Sequence, residues 1–145
     1  MNVLYRRAAG RGVTADRGGI SILLSVVAMI LLIGIGVVGD GKGALDASAR
    51  ASADAQEAAR AGAQQIDGAR AITGSGIVLD PAAATAAARA HLAAVGQSGT
   101  VDVAADGSRI TVSVTGSYRT RFASMLGLTS ISVSGSGQAQ PVQGG

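Results

Sequence analysis

The 145-residue sequence contains no cysteine and no tryptophan, and aromatic residues make up only 2% of it. Without cysteine the chain can form neither a disulfide framework nor a cysteine-ligated zinc site, and thiol catalysis is excluded. Charged residues are also scarce, at 14%, against about a quarter in ordinary soluble domains. The length allows one modest domain beyond any targeting segment.

The excess of positive charge lies at the N-terminal end. The formal net charge is +3, and residues 1–17 hold four arginines against Asp16 alone. Residues 18–145 hold eight basic and eight acidic side chains. Nucleic-acid interfaces need clustered basic residues, and single-strand sites also need stacking aromatics. Neither feature occurs after residue 17, so we expect no nucleic-acid partner.

A long apolar run follows the arginines. Residues 18–39 contain no charged side chain, and residues 20–38 read ISILLSVVAMILLIGIGVV. Nineteen helical residues span about 28 Å, close to a hydrocarbon core of about 30 Å. The Leu, Ile and Val residues favour insertion by roughly 4 to 8 kcal/mol in total. The run therefore predicts a membrane anchor, and its expected anchor residues are Ile20, Leu23, Leu24, Val27, Ile30, Leu31, Ile33 and Val38.

A cleaved secretory signal is the alternative interpretation of this run. The apolar region of a signal spans about 7–15 residues and ends at a small-residue cleavage site. This run is longer, and its first such triplet, Ala47-Ser48-Ala49, lies well beyond its end. The pattern favours a retained single-pass anchor. Because arginines precede the run, we expect the N-terminus in the cytoplasm and everything after residue 40 outside it.

Two nucleotide-binding motifs are approximated near the end of the run. Residues 34–39 match G-x-G-x-x-G, and residues 36–43 approach the phosphate loop G-x-x-x-x-G-K-[ST]. The first motif needs a short strand before it and a βαβ unit around it, whereas a helix-length run precedes it here. In the second, Gly43 replaces the hydroxyl residue that would hold Mg²⁺. We therefore expect no nucleotide and no cofactor.

Residues 40–71 form an alanine-rich segment that favours helix. Small residues recur at spacings of three and four, as expected for one helical face. Such a stripe buries little area but permits close backbone packing, either on a neighbouring helix or on the chain's own domain. Both alternatives stay open from the sequence. The stripe consists of Ala44, Ala47, Ala51, Ala55, Ala58, Gly62 and Ile66.

The remaining residues predict one more helix and three strands. Asp80 and Pro81 are typical of a helix start, and Gly96 ends a helix over 81–95. Apolar residues then alternate with period two around residues 101–103, 110–114 and 131–133. Asp106-Gly107 favours a tight hairpin turn that pairs Val103 with Ile110 and Val101 with Val112. A short helical turn is expected around Phe122, Met125 and Leu126.

These elements predict an α+β fold in five segments. A cytoplasmic basic tail over 1–17 precedes a transmembrane helix over 18–39, which continues into an extracytoplasmic Ala-rich helix over 40–71. A small α+β domain over 72–134 follows, in which one helix packs on a three-stranded antiparallel sheet. Residues 135–145, rich in Gly, Ser and Gln, are expected to form a flexible tail.

No constellation of catalytic or metal-binding residues emerges. His91 is the only histidine, and it lies on an alanine-rich helix without a second ligand. Asp102 and Asp106 lie on or beside a hairpin turn, where aspartate is common for backbone reasons. The serines lack a positioned base. We therefore expect a protein that is not an enzyme and holds no metal.

One N-terminal pattern combines Arg17-Gly18, the apolar run and Asp40 with a spaced small-residue motif, which consists of Ala53-Asp54-Ala55, Ala58-Ala59 and Gly62-Ala63. Over about residues 17–66 this pattern resembles the TadE/TadG-like proteins of the Tad (Flp-type) pilus assembly system. Residues 79–133 look like short actinobacterial members of the group. The resemblance implies a membrane-anchored minor pilin or accessory assembly protein whose partners are the lipid bilayer and other membrane proteins of a pilus or secretion apparatus.

The resemblance also bears on processing of the N-terminus. Pilin-like members of the wider system are cleaved by a prepilin peptidase after a glycine, with a glutamate five residues later. Aligning Gly18 with that glycine puts Leu23 at the glutamate position. This departure favours an uncleaved accessory protein. The alternative function is an anchored extracytoplasmic module that binds a ligand or the cell wall and is unrelated to pili.

Overall fold

The computed structural model describes residues 15–74 and 76–141, with side chains from Gly18 onward. Most of the predicted cytoplasmic tail, and the last four residues, lie outside this range. In chain order the elements are helices α1 (Ala15–Ala63), α2 (Gly68–Ile72) and α3 (Pro81–Ala94), strands β1 (Gly99–Val103) and β2 (Ile110–Arg119), a short 3₁₀ helix (Ala123–Leu126) and strand β3 (Ser130–Ala139). The predicted α+β class is confirmed.

Helix α1 joins the apolar run and the alanine-rich segment without a break. Its 49 residues correspond to a length of about 73 Å. The expectation that the alanine-rich helix reaches residue 71 was wrong, because α1 ends at Ala63. Asp67 then starts the separate helix α2, and its side chain accepts hydrogen bonds from the backbone N–H groups of Ala69 and Arg70. A new N-cap inside the segment was the missed signal.

Helix α3 begins where the sequence predicts. The Asp80 carboxylate accepts hydrogen bonds from the N–H groups of Ala82 at 2.9 Å and Ala83 at 3.1 Å. Pro81 occupies the first turn, where its missing N–H costs nothing. The helix ends before Gly96, which has a φ of 70°. Such a left-handed residue is the usual end of a helix.

The three strands form one antiparallel sheet in the order β1-β2-β3. The predicted pairs Val101 with Val112 and Val103 with Ile110 are confirmed. The turn itself differs, because Gly107 N–H donates to the Ala104 carbonyl at 2.8 Å, and within residues 104–109 only Gly107 has a positive φ, at 69°. Residues 105 and 106 are therefore the centre of the turn. The register is the same because the loop grows by one residue on each side.

Strand β3 is longer than the sequence suggests. It runs to Ala139 and pairs with β2 along its whole length, from Arg119 with Ser130 to Ile110 with Ala139. The expectation of a flexible tail was therefore wrong for residues 135–139. Glycines at 135 and 137 gave a low strand propensity, but their missing side chains let the strand lie directly on α1.

The buried face of the sheet is covered by two helices rather than by α3 alone. The second half of α1 packs on β2 and β3, while α3 packs on α1 and β1. The alanine-rich segment therefore belongs to the domain. The N-terminal boundary of the domain lies at about residue 40 rather than at the predicted residue 72. The core combines small residues of α1 with larger side chains of α3, the strands and the loop before α3, namely Ala51, Ala55, Ala58, Ala59, Ala63, Leu79, Ala84, Ala88, Leu92, Ile110, Val112 and Val114.

Candidate functional site

The first part of α1 carries an apolar surface that the rest of the described chain leaves exposed, except where Phe122 packs at Gly36. Among the described residues, α1 is the one helix long and apolar enough to cross a membrane. Only 6% of its apolar 18-residue stretch is buried. The core helix of a soluble protein would be mostly buried instead. Seven of the eight expected anchor residues are exposed and Ile33 is half-buried; the exposed ones are Ile20, Leu23, Leu24, Val27, Ile30, Leu31 and Val38. This helix could span a membrane.

Asp40 lies two residues beyond the apolar run and joins it to the domain. Its side chain is only 2% exposed. Oδ2 accepts hydrogen bonds from the backbone N–H groups of Phe122 and Ala123, both at 2.7 Å, and Oδ1 accepts one from Arg121 N–H at 2.9 Å. One carboxylate therefore binds three consecutive N–H groups at the start of the 3₁₀ helix.

This arrangement is an N-cap supplied from a distant part of the chain. The first N–H groups of a helix have no partners within it, and a negative charge there is favourable. The hydrogen bond from Ala123 N–H is the main cause that lowers the pKa of Asp40 below its usual value, followed by that from Arg121. Asp40 is therefore ionised at neutral pH. Its charge is satisfied by backbone dipoles although the side chain is buried.

Two glycines of α1 lie one turn before and one turn after Asp40, and each contacts an aromatic side chain: Phe122 in the loop after β2, or Tyr118 near the end of β2. A Cβ placed on Gly36, one turn before Asp40, would lie 2.7 Å from Cβ of Phe122. A Cβ on Gly43, one turn after Asp40, would lie 2.8 Å from Cε2 of Tyr118. At Gly36 the approach includes Cβ of Phe122, so close packing requires a glycine there. At Gly43 the neighbours are atoms at the end of the Tyr118 side chain, which would have to move to admit a larger residue.

The loop between β2 and β3, residues 120–129, is closed by its own hydrogen bonds and is called the junction loop below. Thr120 N–H donates to the Thr129 carbonyl at 3.2 Å, and Thr120 Oγ1 donates to the Leu128 carbonyl. Leu128 N–H donates to the Ala123 carbonyl at 3.0 Å, and Gly127 has a φ of 88°. With Asp40 at its start, the loop is held at both ends.

The small-residue stripe of α1 packs on the chain's own sheet. Ala51, Ala55, Ala58 and Gly62 are buried, Ala44 and Ala47 are half-buried, and Ile66 lies beyond the helix and is exposed. Cβ atoms on Gly135 and Gly137 would overlap the α1 backbone at Ser52 and Gln56. The sequence left open whether the stripe packs on a neighbouring helix or on the chain's own domain. In the structure it packs on the chain's own domain.

The two nucleotide-like motifs lie within helix α1. A phosphate loop and a dinucleotide fingerprint both need a helix N-terminus with free N–H groups, whereas residues 34–43 are in the middle of a 49-residue helix. Lys42 Nζ donates to the Asp46 carboxylate at 3.0 Å, one turn further along. Of their glycines, Gly36 and Gly43 pack against Phe122 and Tyr118, whereas Gly34, Gly39 and Gly41 have open space at the Cβ position.

The other residues considered for chemistry are dispersed. His91 is half-buried in the last turn of α3, and Asp106 caps its own turn by accepting a hydrogen bond from Ser108 N–H at 3.0 Å. Across residues 15–74 and 76–141, no three His, Asp or Glu side chains are grouped so as to hold a metal ion. The absence of enzymatic activity stays a prediction.

No protein-family model, no curated protein and no solved structure matches this chain. The resemblance to TadE/TadG-like proteins is therefore carried only by the sequence pattern described above. What the protein does must be argued from its own geometry.

Sequence reasoning missed the role of Asp40. It gave Asp40 no role beyond its place in the resemblance, whereas the structure buries Asp40 and pairs the neighbouring Lys42 with Asp46. A usable signal was present, since Gly36, Asp40, Gly43 and Ala47 continue the small-residue stripe at spacings of four, three and four. An acid within a buried face requires hydrogen-bond donors. Which N–H groups supply them could not be read from one sequence.

Proposed function

We propose that this protein is a non-catalytic, membrane-anchored component of a Tad/Flp-type pilus or a related secretion apparatus, either minor pilin-like or an accessory assembly protein. The observation that carries the proposal is the continuity of α1 from Ala15 to Ala63. Its first part is an exposed apolar helix and its second part is the core of a folded domain. The domain is therefore fixed to the anchor without a linker.

The charge distribution supports one orientation in the cell membrane. Four arginines lie in residues 1–17, ahead of the apolar run. Positive residues flanking a single anchor stay in the cytoplasm. In this orientation the domain stands outside the cytoplasm, directly on the membrane surface, as an envelope assembly component requires.

Contact with other membrane proteins is assigned to the exposed part of α1. The alanine stripe is occupied by the sheet, so it is not available to a partner helix. Gly34 has open space around its Cα, and a shallow groove beside it is lined by Ile30, Leu31, Ile35 and Val38. Small residues on a membrane helix allow a second helix to approach closely. We place the partner helix in this groove.

The test uses the host bacterium with its own copy of the gene deleted. We expect deletion to abolish piliation or the related secretion, and expression of the unaltered chain to restore it. Gly34→Leu should fail to restore it at equal protein level, because the added side chain fills the groove. Gly39→Leu, the same substitution at an exposed glycine of α1 that does not line the groove and whose Cβ would also meet nothing within 4 Å, is the matched control.

The same experiment separates the two candidate functions. If the deletion strain assembles pili and secretes normally, the proposal is wrong and the anchored binding module becomes the better interpretation. If Gly34→Leu restores piliation fully, the partner helix does not use the groove.

A further inference from the structure

The junction loop presents an apolar surface that the rest of the described chain leaves uncovered. Phe122 is 45% exposed, Met125 74%, Leu126 61% and Leu128 61%. These four side chains lie within seven residues and are called the apolar tip below. A contiguous exposed patch of large apolar side chains usually marks a contact surface.

The apolar tip lies at the end of the sheet that faces the apolar part of α1. Contacts between α1 and the β2–β3 hairpin step along both elements in order: Gly137 lies on Gln56, Gly135 on Ser52, and Tyr118 on Gly43. The next step places Phe122 on Gly36. Strands β2 and β3 therefore run alongside α1, and the loop joining them points toward the N-terminal half of the helix.

The depth of the apolar tip follows from the position of Gly36 in α1. Gly36 precedes Val38, the last residue of the apolar run, by two residues. At 1.5 Å per residue this is about 3 Å along the helix axis. The Phe122 ring therefore lies level with apolar helix residues. The three hydrogen bonds to Asp40 hold the loop at this level.

The exposed charges next to the apolar tip in sequence are positive. Arg119 and Arg121 are exposed on either side of Thr120, and no acidic residue occurs in the sequence after Asp106. The one acid in contact with the loop, Asp40, is already bound to backbone N–H groups. Apolar side chains flanked by arginines are the composition that binds a lipid surface, especially an anionic one.

We propose that the apolar tip inserts into the same bilayer that α1 spans, in the leaflet at the Val38 end of the apolar run, while Arg119 and Arg121 contact lipid phosphates. The inference rests on the proposed membrane anchor. The protein then contacts the bilayer twice, through α1 and through the junction loop. Two attachment points fix the rotation and tilt of the domain on the membrane, which one helix alone does not.

Spin labels on single cysteines test this insertion, because the chain has no cysteine of its own. The full chain is reconstituted in vesicles of phosphatidylcholine and phosphatidylglycerol. Labels are placed at Met125→Cys, at Ile30→Cys as the lipid reference, and at Ala93→Cys on the exposed side of α3 as the water reference. Accessibility to oxygen, which concentrates in lipid, is compared with accessibility to a water-soluble nickel chelate.

We expect the label at position 125 to be reached by oxygen more than by nickel, as at position 30, and the label at 93 to show the reverse. A water-like label at 125 with a lipid-like label at 30 would overturn the insertion and leave the anchor intact. Water-like labels at both positions would overturn the anchor as well. If the label at 125 is shielded from both reagents, and broadens as protein is added per lipid, the tip contacts a second copy and the proposal is wrong.

A second set of variants keeps the test independent of any one label. Leu128→Cys should report the same lipid exposure as Met125→Cys. Arg119→Gln with Arg121→Gln should bring the label at 125 closer to water in anionic vesicles, whereas Arg89→Gln on α3 should leave it unchanged. Equal thermal unfolding midpoints of all variants show that the labels report the native loop. If the accessibility of the label at 125 is unchanged both by the Arg119→Gln with Arg121→Gln substitution and by removal of phosphatidylglycerol from the vesicles, the assigned phosphate contact is wrong.

Discussion

The Asp40 carboxylate accepts a hydrogen bond from the backbone N–H of Phe122 at 2.7 Å, across 82 positions of sequence. The same Phe122 side chain packs on Gly36, one helical turn earlier in α1. Polar and apolar contacts of one loop residue thus converge on one face of the helix, where the apolar run ends. The domain is fixed to the apolar part of α1 at this point, and α1 continues between them without a break.

Loss of the Asp40 carboxylate should release the junction loop. An asparagine keeps the size of the side chain but loses its charge, and its NH₂ group is no acceptor for a backbone N–H. We expect Asp40→Asn to lower the thermal unfolding midpoint and to accelerate tryptic cleavage after Arg119 and Arg121 several-fold in detergent micelles. Digestion followed by mass spectrometry measures this.

The matched control for that substitution lies on the same helix. Asp46 pairs with Lys42 at 3.0 Å, but both side chains are largely exposed. Surface pairs of this kind contribute little to stability. Trypsin should therefore cleave the Asp46→Asn variant after Arg119 and Arg121 at the wild-type rate. Equal cleavage of all three proteins would show that the carboxylate does not hold the loop.

The contribution of Asp40 to the stability of the fold should decrease only toward acid pH. Its pKa is lowered in the folded protein by the hydrogen bonds from Ala123 and Arg121, while in the unfolded chain it is about 3.9. The stabilisation is therefore complete above about pH 4 and is lost as pH falls through the lower, folded pKa. Thermal unfolding of wild type and Asp40→Asn should differ by a constant amount between pH 5 and 8.

Below about pH 4 that difference should shrink, because the wild-type carboxylate becomes protonated. Asp106, whose pKa is also lowered through hydrogen bonds from Ser108, is present in both proteins and cancels in the comparison. A difference that stays unchanged in strong acid would mean that the effect of Asp40→Asn does not arise from the charge.

The glycines of β3 should tolerate no side chain. A Cβ on Gly137 would meet the Gln56 backbone, and backbone atoms of α1 cannot move without displacing the helix. We expect Gly137→Ala to lower the free energy of unfolding by about 1–3 kcal/mol, as overpacked cores do. Gly116→Ala in β2 is the control, since its Cβ would lie 3.6 Å from Val133 Cγ2. The control should change the free energy by less than about 0.5 kcal/mol. Chemical denaturation measures both, and similar losses would argue against the tight α1–β3 contact.

The sequence predicted those features that local chemistry determines. Asp80-Pro81 predicted the start of α3, and alternating valines with Asp106-Gly107 predicted the β1–β2 register, which survived a different turn centre. The extension of β3 was missed because Gly135 and Gly137 act through α1, more than 80 residues earlier. Local propensity counts them against a strand, whereas tertiary packing requires them.

The junction could not be predicted for the same reason. Nothing in the local sequence of α1 distinguishes Gly36, Asp40 and Gly43 from other helix residues. Their roles arise from contacts with Phe122, Tyr118 and the backbone of the junction loop. The packing of segments far apart in the sequence determines the roles of these three residues. Helical spacing alone shows only that they share one face of α1. The short helical turn around Phe122, by contrast, was predicted from its local apolar residues and is confirmed.

Topology in the cell membrane can be checked directly with protease. With the N-terminus in the cytoplasm, protease added to intact spheroplasts should remove the domain after residue 40 and leave an N-terminal tag protected. Disruption of the spheroplasts should expose the tag as well. Protection of the domain, with loss of the tag, would reverse the proposed orientation.

Arginines within the apolar run should abolish membrane retention. Ile30 and Ile33 lie near the middle of residues 20–38, where each arginine costs about 2.5–3.5 kcal/mol of insertion free energy. Two arginines therefore cost about 5–7 kcal/mol, comparable to the whole gain of roughly 4 to 8 kcal/mol from the apolar side chains. We expect Ile30→Arg with Ile33→Arg to be released or degraded, as measured by membrane fractionation and immunoblotting. Ile72→Arg with Ala93→Arg adds the same charge at exposed positions of α2 and α3 and should stay in the membrane fraction. If the doubly substituted run is retained as well as this control, residues 20–38 do not lie in lipid.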